Sequence, residues 1–232
     1  NIAMSRQKKL DKMDVIELAS QRPKPEFSFL EARTPGRYIF QTKDLVIGYD
    51  EPLSSPLNLE MERGCKIVLT GANGIGKTTL LKSILGLIPA LSGKVELGDY
   101  LEIGYFEQEM SQDGSNTCIE EIWQAFPAFS QYEVRSALAR CGLTTKHIES
   151  QVRVLSGGEQ AKVRLCKLLN KPSNVLVLDE PTNHLDADAK AELKRALQAY
   201  RGSLLMVCHE PGFYDGLATD VIDCGKWTTR AI

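Results

Sequence analysis

The chain is 232 residues long, 43% hydrophobic and 25% charged, with a formal net charge of −2. That length supports one large domain with a substantial core, or one domain with a small appendage. Near-neutral charge excludes whole-domain attraction to nucleic acid, so any such contact has to be a local patch.

No uninterrupted apolar run approaches the roughly 18 residues of a membrane span, and no charged-then-apolar leader opens the chain. No direct membrane insertion is therefore expected. The six cysteines (65, 118, 141, 166, 208 and 224) form no C-x-x-C pair. Most of them sit in apolar stretches and read as buried, reduced thiols of a cytoplasmic protein, with neither a zinc site nor a disulfide framework indicated.

In chain order, residues 1–20 are charged and hold no Gly or Pro, which suits a helix. Arg6, Lys8, Lys9 and Lys12 give its start a basic bias that Asp11 and Asp14 partly offset. Arg22-Pro23-Lys24-Pro25 then stops any helix and favours an extended connection, so residues 1–36 read as a helix and connector. Short strands are expected at 38–41, 44–48, 57–62, 65–70, 94–97 and 101–106. A polar break covers 111–116, and helical patterns follow at about 117–126, 130–141 and 158–169. The last third alternates strand (175–179), helix (186–199), strand (203–208), helix (211–217) and strand (220–223). Such alternation predicts an α/β fold with a mainly parallel sheet covered by helices.

Three motifs carry chemistry. Gly71-Ala72-Asn73-Gly74-Ile75-Gly76-Lys77-Thr78 follows the apolar run 66–70 and opens the helical pattern Thr79-Leu80-Leu81-Lys82-Ser83-Ile84-Leu85. That strand–loop–helix context identifies a phosphate-binding loop. Its glycines let backbone N–H groups close around phosphate oxygens, Lys77 reaches the β- and γ-phosphates, and Thr78 ligates Mg²⁺. Val175-Leu176-Val177-Leu178-Asp179-Glu180 is an apolar strand delivering two carboxylates at its C-terminal end, the edge where open α/β sheets bind ligands. Asp179 is placed to hold Mg²⁺ and Glu180 to orient or deprotonate an attacking water. Leu155-Ser156-Gly157-Gly158-Glu159-Gln160 opens a helix with Ser156 in the capping position, a second anion-binding helix start.

Over about residues 37–225 this combination resembles the ATP-binding-cassette (ABC) ATPases. The resemblance implies a P-loop NTPase fold of ABC type at 37–232. Its parts are a mainly parallel sheet core, an antiparallel β subdomain and a helical signature subdomain at about 109–170. It implies ATP as nucleotide and Mg²⁺ as metal, with the ion held by Thr78, Gln108 and Asp179. Tyr49 would stack on adenine, and Gly71, Ala72, Asn73, Gly74, Ile75, Gly76, Lys77, Thr78 and Thr79 would cradle the phosphates. Ser156, Gly157, Gly158 and Glu159 would complete the site of a second cassette, with Asp186 communicating between the two. Catalysis would fall to Glu180, Gln108, Lys77 and the switch histidine His209. His184 belongs to the Asp186 motif without an assigned role, and His147 reads as surface.

Within the cassettes, the runs 155–165 and 179–186 are similar to the soluble ABC-F group, and residues 5–13 resemble the end of the helical linker before its second cassette. Cys208-His209-Glu210-Pro211 departs from the Ser-His-Asp-Arg common there, but keeps the histidine. The ABC-F resemblance implies an ATPase acting on the ribosome, with rRNA or tRNA as partner, in translation or antibiotic resistance. The basic helix over 1–20 is then an RNA contact or a solvated connector, and both readings stand. The rival is the ATP-binding subunit of a membrane transporter, which needs a docking groove within 109–155.

Overall fold

A computed structural model describes residues 23–107 and 115–229. The expected helix over 1–20 and Gln108 lie outside the described residues. Eight strands run in chain order: β1 (Tyr38–Val46), β2 (Glu60–Glu62), β3 (Lys66–Thr70), β4 (Ser92–Leu97), β5 (Ile103–Phe106), β6 (Val175–Asp179), β7 (Ser203–Val207) and β8 (Asp220–Asp223). The α-helices are α1 (Lys77–Ile84), α2 (Cys118–Ala125), α3 (Gln131–Arg140), α4 (Thr145–Glu149), α5 (Gly157–Leu169), α6 (Ala187–Ala199) and α7 (Pro211–Tyr214).

The central sheet has the order β5-β6-β7-β3-β8, and every pairing in it is parallel. Every residue of β6 and β7 is buried, as expected of parallel strands covered on both faces. The period of two sorts their side chains. Leu176, Leu178, Leu204 and Met206 join a core with α2–α7, whereas Val175, Val177, Leu205 and Val207 join a second core. The second core is closed by α1 and by the antiparallel sheet β2-β1-β4. The pattern places two strands, 38–41 and 44–48, where β1 runs unbroken, because the polar pair Thr42-Lys43 interrupts the apolar run. Asp44 takes φ 46°, and the register against β4 shifts between Lys43 and Val46, so the interruption is a bulge inside one strand.

Helices α2, α3, α4 and α5 form the helical layer, and each opens with a capping box. Thr117 with Glu120 and Ser130 with Glu133 are two of these boxes. The sequence pattern missed α4, whose five residues are too few for a helical period.

The connector at 25–32 is extended, as its prolines demand, but it is built into the core. Phe27 is 1% exposed, and the Phe29 ring lies 5.5 Å from that of Tyr200. The Phe27 N–H donates to Glu192 Oε1 at 2.8 Å, while Arg195 donates to the Phe27 carbonyl at 2.8 Å. Glu26 N–H donates to the Arg140 carbonyl at 2.8 Å, Ala32 N–H donates to the Ser173 carbonyl at 3.0 Å, and Ser173 N–H donates to the Leu30 carbonyl at 2.9 Å, just before β6. One strap thus joins α3, α6 and the central sheet.

Truncating Phe27 to Ala should cost about 3–5 kcal/mol of stability, read from the denaturant midpoint of the full-length protein. Exposed Lys24→Ala should stay within about 0.5 kcal/mol. A Phe27→Ala loss below about 1 kcal/mol would place the connector outside the folding unit.

Candidate nucleotide-binding site

The C-terminal ends of β3, β6 and β7 meet at one edge of the central sheet. From β3 the chain enters the loop 71–76, whose Gly71, Gly74 and Gly76 adopt φ of 128°, 78° and 106°. Gly76 is the N-cap of α1 in left-handed conformation, and no side chain caps that helix end. A Cβ at Gly76 would be strained there, so the residue type follows from the turn. The helix N-terminus and successive loop amides make a site for anions.

Lys77 is 5% exposed, and its ammonium donates to the carbonyls of Gly71 at 3.0 Å and Ala72 at 2.7 Å. Burial pushes its pKa down, while the charges of Glu180, Cys224 and Asp179 push back up. The amine is thereby held across the mouth of its own loop. A 370 Å³ cleft lies over this region, lined by Tyr49, Asn73, Lys77, Thr78, Thr79 and Glu180 among others. Tyr49 is 62% exposed and also borders an adjoining 430 Å³ cleft, so its ring presents a free face rather than packing into the strand end.

Asp179 ends β6 with no exposed surface, and neither carboxylate oxygen has a hydrogen-bond partner. Burial raises its pKa and the Glu180 charge adds to this. The nearby Thr78 hydroxyl, which stops short of hydrogen-bond geometry, draws it back down, as do Lys82 and Lys77. An ionised, fully buried carboxylate without partners is costly, and a cation removes that cost. One carboxylate beside one hydroxyl next to a phosphate cradle fits Mg²⁺, a hard ion that takes oxygen donors and shares its shell with phosphates. Among the described residues no group of three or more His, Cys, Asp or Glu offers a separate metal site.

Glu180 follows with φ 49°, a conformation that stores about 1–3 kcal/mol in a residue with a side chain. Its N–H donates to the Val207 carbonyl at 3.0 Å. Its Oε1 lies 3.0 Å from His209 Nε2, and its Oε2 accepts from the Asn183 amide. The structure therefore brings Lys77, Thr78, Asp179, Glu180 and His209 together. Asn183 was not singled out in the sequence, although it stands in the same motif.

The loop 181–186 runs from this carboxylate to the start of α5. His184 is the surface against which the signature glycines rest. A Cβ on Gly158 would fall 2.6 Å from the His184 carbonyl oxygen, and one on Gly157 would fall 3.2 Å from its ring. Asp186 caps α6 through the Ala189 N–H at 2.8 Å and pairs with Lys162 of α5 at 2.8 Å. Ser156 caps α5, and Glu159 answers by accepting the Ser156 N–H at 2.8 Å. The other Glu159 oxygen lies 3.2 Å from His147 Nε2. Burial alone would raise the Glu159 pKa, but the bonds to Ser156 and the charges of His147 and Lys162 win and lower it. His147, which the sequence placed on the surface, is half-buried because it reaches this carboxylate. Ser156, Gly157, Gly158 and Glu159 do not line the cleft above Lys77.

A family model described as "ABC transporter" matches residues 54–183, more than half of the chain. An uncharacterized ABC transporter ATP-binding protein of Bacillus subtilis, YfmM, is 68% identical over 100% of this chain and 45% of its own length. ABC transporter F family member 2 of Arabidopsis thaliana is 39% identical over 95% of this chain and 34% of its own length. The chain thus spans less than half of these curated relatives. A dimeric ATP-binding cassette solved with ADP and phosphate superposes with TM-score 0.66 at 20% identity, over 79% of this chain and 93% of that one. At that identity the likeness speaks to fold alone. No helix of the described residues is long and apolar enough to cross a membrane. The chain belongs to the ATP-binding cassette (ABC) family, and its curated relatives include a member named for the family's F group.

Proposed function

We propose that this cassette hydrolyses ATP in the cleft above Lys77, and that it does so as the second cassette of an ABC-F protein acting on the ribosome. The observation that supports hydrolysis best is the pair of carboxylates ending β6. One is buried without partners, and the other is held 3.0 Å from a histidine. The amides of 71–78 and the Lys77 ammonium bind the β- and γ-phosphates, and Tyr49 offers its exposed face to the base. Thr78 and Asp179, with Gln108, would hold Mg²⁺. When bound, that ion neutralises charge on the phosphate oxygens.

Glu180 then accepts a proton from water as the water oxygen attacks the γ-phosphorus. The bond from the γ-phosphorus to the bridging oxygen breaks, and its electron pair leaves with ADP. His209 and Asn183 fix the rotamer of Glu180, whose backbone strain is maintained by the Val207 contact. Positioning and charge complementarity supply most of the rate in such a site. Ser156 to Glu159 stand outside their own cleft, which supports pairing, in which each cassette's signature helix closes the other's site. Residues 1–36 then serve as the end of the linker that precedes this cassette. The ribosomal assignment draws on the F-group relative and on the runs 155–165 and 179–186. A fate in translation or in antibiotic resistance follows from it.

Glu180→Gln in the full-length protein, made together with the matching substitution in the other cassette, should lower ATP turnover by about 100-fold or more while preserving ATP binding. Turnover within a factor of about two of wild type would remove Glu180 from the base role. The same variant, with its counterpart in the other cassette, should pellet with ribosomes only when ATP is present. Protein that binds ATP yet stays in the supernatant would move the assignment to a transporter subunit or another soluble cassette role.

A further inference from the structure

A second polar cleft lies at the opposite end of the central sheet from the nucleotide. It has a volume of 250 Å³ and sits where β6 and β7 begin, between the connector and the turn before β3. Arg33, Arg63 and Arg201 all line it, against a single carboxylate, Glu31. None of these three guanidiniums is in an ion pair among the described residues. Arg37, Arg135 and Arg195, by contrast, each pair with a glutamate.

Two of the three arginines are also braced. The Arg33 guanidinium lies 4.2 Å from the centroid of the Tyr100 ring, which is 62% exposed. Its backbone carbonyl accepts from Asn174, which also ties down Tyr100 through a second carbonyl. Arg63 donates one nitrogen to the Pro35 carbonyl at 3.0 Å, leaving the rest of its fork for a ligand. Arg201 stands at the turn before β7, with its side chain exposed. Unpaired arginines in one cleft repel one another, and an anion relieves that repulsion. The guanidinium fork matches phosphate oxygens in pairs.

We propose that this cleft binds the phosphate backbone of RNA. The identity of that RNA as ribosomal rests on the functional reading above, whereas the site itself rests on the arginines. With a chain net charge of −2, a nucleic-acid contact has to be local, and this cleft is a concentration of positive charge of that kind. The Tyr100 ring holds the Arg33 guanidinium in place, and three arginines on one cleft match the repeated phosphates of a nucleic-acid backbone better than a single headgroup.

The test is binding of a labelled RNA duplex to the nucleotide-free, full-length protein across about 50 to 200 mM salt. Arg33→Gln/Arg201→Gln keeps the Arg63 bond to Pro35 and should weaken binding about tenfold, with the slope of log K against log salt falling by about 2. Adding Arg63→Gln should lower the slope by about one more. Ribosome-free ATP turnover should be unchanged in both variants, which checks the fold. Unaltered duplex affinity and slope in the double variant would overturn the proposal. So would binding of inorganic phosphate without binding of the duplex. If wild type pellets with ribosomes while the double variant holds the duplex as well as wild type, the cleft fails and the ribosomal reading survives. If wild type binds neither, both fail.

Discussion

The site is organised by the end of β6, where a fully buried strand must deliver two adjacent carboxylates to opposite fates. Alternation along a strand sends neighbouring side chains to opposite faces, so Asp179 and Glu180 would diverge if the strand continued. The turn of Glu180 to φ 49° breaks that alternation and brings its carboxylate to the phosphate cleft and His209. Asp179 stays behind, sealed and without partners. Its raised pKa carries a definite sign. Ionising it at neutral pH works against the fold, and a bound cation removes the penalty.

The loop leaving β6 ties this local geometry to α5. Within six residues, Asn183 holds Glu180, His184 seats Gly157 and Gly158, and Asp186 pairs with Lys162 on α5. The carboxylate beside the phosphate loop is thus joined through packed atoms to the helix whose start faces away from its own cleft. These contacts are direct, and a Cβ on Gly158 would meet the His184 carbonyl oxygen at 2.6 Å. The strap at 25–32 acts on the same unit from the other side, tying the carbonyl of Arg140 on α3 to Glu192 and Arg195 on α6.

Much of this was legible in the residues. The buried strand over 175–179 and the phosphate loop with its following helix stand where apolar runs and glycine spacing put them, because a covered parallel strand and a left-handed turn each demand particular residue types. What the residues did not show has physical reasons too. Prolines before Phe27 signal a break, but the alternation of Phe27 and Phe29 inserts the connector into the core. Glu159 is expected to complete a second cassette's site; that its carboxylate also closes a capping box and holds His147 comes from a partner that only tertiary packing supplies. Lys162 gave no signal, since one lysine on a helix looks like any other until Asp186 arrives beside it.

The central claim is that Asp179 is kept buried and unpartnered for a cation. It is tested most directly by thermal unfolding of full-length wild type and Asp179→Asn, with and without Mg²⁺ and ATP. Without them the variant should melt no lower than wild type, because a buried charge has been removed. With them wild type should gain stability that depends on Mg²⁺, and the variant should keep only the part of that gain owed to the other cassette. A variant that melts well below wild type without ligand, or that keeps the full Mg²⁺-dependent gain, would contradict the account.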